Sequence, residues 1–341
     1  MSVTGQRTRI RGGQVATVAA VVMLLAASWG AAASRADSTG VYFDASANVG
    51  AGPNPFNASF TGFENVGVGI DPMKSLTDGA YNIGIGTRPL PKVTSGRYNI
   101  GIGTFSLNEL ITGFYNTALG ASALTNTTTG YSNTALGDAA LAANTTGGSN
   151  VAVGHAALLS STSQSGQVAI GTDALQGNTL GQGNVAIGLE ALKSGARGSN
   201  NVAVCGRALR TSDGGDANVA IGYAALANNT TGDANVASGQ SALGTNTSGS
   251  GNVATGNGAL GSNTTGNDNL ASGTGALSAA TTALQNQALG TNALGRTTTG
   301  VQILRGILRT ILKPIASVAP TPAAATPPST KCVAGWPESS R

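Results

Sequence analysis

Bulky apolar, small and polar positions follow one another along most of this chain in an order that returns every 17 residues. Aligned on Asn-x-(Gly/Ala)-x-Gly, the repeats begin at Asn48, Asn65, Asn82, Asn99, Asn116, Asn133, Asn150, Gln167, Asn184, Asn201, Asn218, Asn235, Asn252, Asn269 and Asn286. Fifteen repeats therefore cover residues 48–302 without an insertion. With the Asn as slot 1, slot 3 is always Gly or Ala, and slot 5 is Gly in every repeat but one, which has Cys205. Slot 9 is always apolar: Phe56, Met73, then leucine from Leu90 to Leu294. Slot 15 is Gly except at Gln164 and Ala283.

Each slot predicts a piece of structure. Slots 2 to 4, as in Val185-Ala186-Ile187, read as a short β-branched strand bounded by Asn and Gly. With no polar alternation, such a strand is expected to be buried on both faces. Slots 2 and 4 project to one side and the small slots 3 and 5 to the other, so the small face predicts close approach of another backbone. The Ala-Leu pair at slots 8 and 9, as in Ala225-Leu226, predicts a second short strand or a bend. The Asn-Thr-Thr-Gly stretches Asn229–Gly232 and Asn263–Gly266 read as turns in which Gly supplies a positive φ. Identical stacked coils would align the slot 1 asparagines into a ladder of mutually bonded amides. The residues that carry this structural repeat are typified by Asn116, Gly120 and Leu124; Asn150, Gly154 and Leu158; Asn184, Gly188 and Leu192; and Asn218, Gly222 and Leu226.

Seventeen residues are too few for a helical-hairpin repeat and fit one turn of a β-solenoid. At about 4.8 Å per coil, fifteen coils make a rod of roughly 70 Å. One leucine and two Val or Ile per coil make a thin core, so the small-residue face is expected to be covered by other chains, most simply in a closed homotrimer.

The coils Asn116–Gly120 (NTALG), Asn150–Gly154 (NVAVG) and Asn184–Gly188 (NVAIG) resemble the head repeats of trimeric autotransporter adhesins of the YadA type. That resemblance covers residues 48–302 and implies an all-β, left-handed parallel β-roll that assembles as a trimer and attaches to host matrix or surfaces. Similar coils also occur in phage tail fibres and other bacterial fibres. The family's long coiled-coil stalk and C-terminal anchor barrel have no counterpart in the 39 residues that follow Gln302.

The two ends differ from the repeat. Arg7, Arg9 and Arg11 precede an almost unbroken apolar run, Val15–Ala27, and then Ala31-Ala32-Ala33 and Ser34-Arg35-Ala36. That order predicts a secretory signal peptide over 1–36, cleaved after Ala33 or Ala36. The run is shorter than the ~20 residues a membrane span needs, so no integral span is expected after cleavage. Residues 37–47 form a lead-in. At the other end Ile303, Leu304, Ile307, Leu308, Ile311, Leu312 and Ile315 make one apolar stripe opposite Arg305, Arg309 and Lys313. This predicts an amphipathic helix over 303–318 that caps the last coil, forms a short neck or lies on a membrane surface. The Pro/Ala-rich residues 319–341 read as a disordered tail.

Composition and charge narrow the function. Gly is 51 of 341 residues, charged residues are 9% and aromatics 4%, which disfavours a globular enzyme core. The net charge of +4 resides in the ends: nine bases face eleven acids between 48 and 302. No basic stripe exists to neutralise phosphates, so nucleic acid is not an expected partner. His155 is the only histidine; it occupies the tolerant slot 6 and reads as a surface residue. Asp138, Asp173 and Glu190 are scattered along the chain and predict no pair. The positions of Cys205 and Cys332 discourage a bridge, and no zinc spacing surrounds either. Gly84-Ile85-Gly86 is a weak phosphate-loop match, and Gly214-Gly215-Asp216 is a fragment of a calcium nonapeptide. The sequons at Asn144, Asn229, Asn246 and Asn263 fall in the turn slot and are explained by it. No catalytic residue, metal or cofactor is expected. Two classes remain: an exported adhesive fibre at a bacterial surface, outer membrane-associated or secreted, and another solenoid binder such as an ice-binding protein or tail-fibre component.

Overall fold

The computed structural model describes residues 40–195, 197–301 and 304–305. The expected signal peptide and the tail lie outside the described residues. Among those described, the regular structure is a parallel β-solenoid whose seventeen short strands form one sheet. The strands of successive coils pair in parallel with a step of 17 residues: Val185 faces Val202 and Val219, Ala186 faces Ala203 and Ala220, and Ile187 faces Val204 and Ile221. One strand departs from this pattern. Val41–Phe43, in the lead-in, runs antiparallel to Val49–Ala51 and covers the open edge of the first coil. An uncovered edge is a template for unwanted pairing.

The rest of each coil is bend and turn. Slots 7, 9 and 17 hold left-handed backbone, as at Glu190 (φ 55°), Leu192 (φ 50°) and Asn200 (φ 58°). Such a conformation costs a bulky residue roughly 1 kcal/mol, so it needs compensation. The N–H of each slot 9 leucine donates to the slot 8 carbonyl of the next coil, Leu192 to Ala208, Leu209 to Ala225 and Leu226 to Ala242, each at 3.0 Å. The Ala-Leu pair is therefore a bend, while coil-to-coil hydrogen bonding continues through it.

The core reverses one expectation. Slot 3 alanines (Ala186, Ala203, Ala220), slot 8 alanines (Ala191, Ala208, Ala225) and slot 9 leucines (Leu192, Leu209, Leu226) pack together inside one chain, all buried. The small face thus points inward, because a 17-residue coil has room for alanine and one leucine but not for two bulky strand faces. Nor is the strand buried on both sides. Slot 2 is half-buried in most coils, and slot 4 is exposed at Ile170, Ile187 and Ile221.

Glycine is favoured at two slots for different reasons, with Cys205 the exception at slot 5 and Gln164 and Ala283 at slot 15. Slot 5 combines a φ of +134° at Gly222 with a Cβ site 2.6 Å from the carbonyl oxygen of Gly239 in the next coil. Slot 15 does not use positive φ, contrary to the turn reading. A Cβ on Gly232 would instead run into the carbonyl oxygen of Gly249.

The drift along the repeat also has a packing cause. In two early coils a Cβ at slot 3 would crowd the core: on Gly67 it would lie 3.1 Å from the Phe56 ring, and on Gly101 3.1 Å from Ser106 Oγ and 3.3 Å from Leu90, while on Gly84 it would make ordinary contacts. Those coils place aliphatic Leu76, Val93 and Leu110 at slot 12, all buried. From Ala118 onward slot 3 carries a methyl, and slot 12 is mostly small or polar. The polar slot 4 residues Ser238, Thr255 and Ser272 do not loosen the interior, since they lie on the outward side while Ala237, Ala254 and Ala271 stay buried.

Two further expectations change. Leu304–Arg305 pairs in parallel with Gln287–Ala288, so the sheet continues into the stretch read as helix. Leu304 lies 17 residues after Gln287 and takes its slot; the remainder of 303–318, beyond Arg305, lies outside the described residues. Cys205 is disulfide-bonded, contrary to the reading that the positions of the two cysteines, one in the array and one in the tail, discourage a bridge. Cys332 lies outside the described residues.

Leu209→Ala removes the bulkiest buried side chain of its coil. It should cost about 2–5 kcal/mol and raise amide exchange first in coils 9 to 11, since each coil contacts only its neighbours. Uniform protection by hydrogen-exchange mass spectrometry would contradict this.

Candidate functional site

Two interior columns and three outer surfaces account for the polar chemistry. The first column is slot 1. Asn82 offers its backbone N–H (2.9 Å) and its Nδ2 (3.0 Å) to Asn65 Oδ1, and its Nδ2 also donates to the carbonyl of Gly96 at 2.8 Å. The same pattern recurs at Asn116, Asn218, Asn235, Asn252, Asn269 and Asn286, with Oδ1 of the preceding coil as one acceptor and the slot 15 carbonyl of the same coil as the other. At Asn150, Asn184 and Asn201 the backbone N–H and slot 15 bonds are kept. Gln167 joins the column through Nε2 to Gly181 and Oε1 to the Asn184 N–H. All these side chains are buried, and burial demands such pairing. The structure thus brings together the repeat residues singled out in sequence: Asn116, Asn150, Asn184 and Asn218 in the amide column, Leu124, Leu158, Leu192 and Leu226 in the core, and Gly120, Gly154, Gly188 and Gly222 where the backbone of the next coil approaches too closely for a Cβ.

The second column, at slot 12, was not foreseen. Asn246 Nδ2 donates to Asn229 Oδ1 and Asn263 Nδ2 to Asn246 Oδ1, both at 2.7 Å. The signal was present as Asn at 144, 178, 229, 246 and 263, but it was read only as a turn and not as an interior column. These asparagines are fully buried, so four sequons are inaccessible in the folded chain. Where the next coil lacks an asparagine the column ends: Asn178 precedes Gly195 and Asn263 precedes Ala280, and both Oδ1 atoms lack a hydrogen bond.

Outside, the first surface is the apolar rank of slots 2 and 4, including Leu119, Leu136, Ile170, Ile187, Ile221 and Leu289. The second is a hydroxyl rank at slot 13. Thr145, Thr230 and Thr264 donate to the carbonyls of Thr162, Thr247 and Thr281 at 2.8–3.0 Å. The third is a charged row. Coiling brings together acids that the sequence left scattered: Lys193 Nζ lies 2.9 Å from Asp173 and 3.1 Å from Glu190, and Arg207 and Arg210 lie 3.3 and 3.2 Å from Glu190. His155 is exposed, as expected, 3.7 Å from Asp138 and 4.0 Å from Asp173. Among the described residues no three His, Cys, Asp or Glu side chains group to hold a metal. The Lys193 hydrogen bond, with the Arg210 and Arg207 charges, holds the Glu190 carboxyl below its ordinary value. Asp173 and then Glu190 hold Lys193 above its own.

No family model matches the chain, and no curated protein matches its sequence.

Ala280→Asn extends the slot 12 column to the unpaired Asn263 Oδ1. It should stabilise the last coils by about 1 kcal/mol, read as slower amide exchange there; faster exchange would contradict the account. Glu190→Gln should cost at most about 1 kcal/mol at neutral pH, because the partners are solvated. A lowered carboxylate stabilises above its unfolded pKa of 4.5 and loses that contribution as pH falls through the lower folded value. The raised lysine contributes below 10.5 and loses its share as pH rises through the higher folded value. The gap between wild type and variant should therefore persist between those limits and close in acid. An unchanged gap in acid denaturation would refute it.

Proposed function

We propose that the chain is a non-enzymatic adhesive fibre, exported to or beyond a bacterial surface, that assembles as a homotrimer and attaches to host matrix, cells or surfaces by avidity. The observation that carries this reading is the outer apolar rank. Within one chain the interior polar columns are largely self-satisfied, yet Ile170, Ile187 and Ile221 remain exposed at the same slot. A row of aliphatic side chains along one face of a rod is what other copies of the same rod would cover. The covered face is thus the bulky one, in place of the small face expected from sequence. The 17-residue register and its resemblance to YadA-type heads support attachment, and the arginine-apolar-small order of residues 1–36 supports export. Three parallel rods also multiply weak contacts without a single dominant residue.

A second reading, ice binding, needs ranks of free threonine hydroxyls on a flat face. The slot 13 hydroxyl protons of Thr145, Thr230 and Thr264 are spent on backbone carbonyls, which disfavours it, and thermal hysteresis would restore it.

The test compares the full chain with an Ile187→Lys/Ile221→Lys variant by sedimentation equilibrium and by retention on matrix-coated and cell-coated surfaces. The wild type should sediment at three times the chain mass. The variant should keep its circular dichroism, become monomeric and lose attachment by about a hundredfold, as expected when avidity is removed. A monomeric wild type, or a monomeric variant that attaches equally well, would overturn the reading.

A further inference from the structure

Slots 16 and 17 form one corner of each coil, and over the first five coils that corner is aromatic: Phe63, Tyr81, Tyr98, Phe114, Tyr115 and Tyr131. Tyr81, Tyr98 and Tyr115 stack with centroids 4.6 and 4.9 Å apart and planes within 14° of parallel. Phe114 stands at 83° to Tyr115 and stacks on Tyr131. Two columns of rings therefore meet at nearly a right angle. The fold does not require them. From the sixth coil the same slots hold Gly148-Ser149, Ser165-Gly166 and Gln182-Gly183, and the backbone closes alike, with φ of 57° at Tyr98 and 58° at Ser149. Tyr98, Phe114 and Tyr115 are 43%, 43% and 56% exposed, a standing cost in water unless something covers them.

A groove of about 220 Å³ lies in this corner, lined by Ser95, Arg97, Tyr98, Thr112, Phe114 and Tyr115. Its apolar walls are the two tyrosines and the phenylalanine, and its hydroxyls come from Ser95 and Thr112. Arg97, which occupies slot 16 one coil before Phe114, forms no ion pair with the described residues. In register, the neighbouring acids are Asp78, one coil before Ser95, and Glu64, two coils before Tyr98. Asp78 already accepts from Thr77 Oγ1 at 3.1 Å. A peptide added as a strand would need an unpaired backbone edge. None is offered here, because Arg97 and Phe114 are bridged and the N–H groups of Tyr98 and Tyr115 bond to Ala80 and Arg97. What remains is an aromatic corner for a ring with an apolar face, hydroxyl partners, and a guanidinium fork suited to a carboxylate.

We propose that this corner binds an acidic glycan, with Arg97 holding a uronate carboxylate and Tyr98, Phe114 and Tyr115 packing against its pyranose ring. The assignment supplies a ligand class for the attachment proposed above and rests on that reading. The test is titration calorimetry of the full chain with a hyaluronan tetrasaccharide and with the same tetrasaccharide after reduction of its carboxyl groups. Arg97→Gln and Tyr115→Ala are the groove variants, and Tyr223→Ala, on a different slot, is the control; circular dichroism checks each fold. Carboxyl reduction and Arg97→Gln should each weaken binding at least tenfold and should not add to one another. Tyr115→Ala should weaken both ligands, and Tyr223→Ala neither. Equal binding of the reduced sugar, indifference to Arg97→Gln, equal binding of a tetraglutamate peptide, or no binding at millimolar tetrasaccharide would each overturn it. If the wild-type fibre attaches to surfaces but takes no tetrasaccharide, this assignment falls and the adhesive reading stands. Failure of the wild type to attach removes that reading, while the groove is still judged by the titration.

Discussion

A buried amide at slot 1 ties every coil to the next. Its side-chain oxygen must accept from the following coil, and where it is asparagine its Nδ2 donates to a slot 15 carbonyl, as Asn82 does to Gly96. The oxygen finds its backbone N–H partner only when the next coil places its own slot 1 at the same height, as Asn150, Gln167 and Asn184 do, so a register slip of one residue would strand several buried polar groups at once. An unpaired buried polar group costs roughly 1–3 kcal/mol, and the penalty recurs at every coil. This explains why the period holds at 17 without an insertion, and why glycine occupies slots 5 and 15, where neighbouring backbones come too close for a Cβ. Left-handed leucines at slot 9 are tolerated on the same terms: their strain is offset by burial and by one inter-coil hydrogen bond each.

Much of this was legible in the sequence because a repeat multiplies weak signals. A single Asn-Val-Ala-Ile-Gly is unremarkable, but fifteen in register specify a solenoid, its strand, its core leucine and its amide column. What escaped were properties of direction. Alanine at slot 3 and isoleucine at slot 4 lie on opposite faces of one strand, and alternation alone does not say which face is interior. Only the size of the coil decides that, and it admits the alanine. The Asn229 stretch was read as a turn and no more, yet its amide lies inside and accepts from its counterpart Asn246. The strand Leu304–Arg305 was obscured by an apolar stripe with helical spacing, although its residues also continue the 17-residue step.

The outer faces divide the labour differently. One is aliphatic over most of its length and turns polar at Ser238, Thr255 and Ser272, one is threonine-rich with its hydroxyls engaged, and one carries a local row of ion pairs. The aromatic corner is confined to the first five coils and is the most individual part of an otherwise repetitive surface. A fibre built from near-identical coils gains specificity where its slots are free to vary, and slots 6, 7, 16 and 17 are such positions here.

Cryo-electron microscopy of the full chain tests the central claim most directly, because it reports coil register and the orientation of the strand faces together. The account predicts parallel rods of about 4.8 Å rise per coil, in groups of three, with Ile170, Ile187 and Ile221 facing the common axis and Ala186 inside each rod. Single rods with the isoleucine rank in solvent, or coils whose slot 1 asparagines do not align, would contradict it.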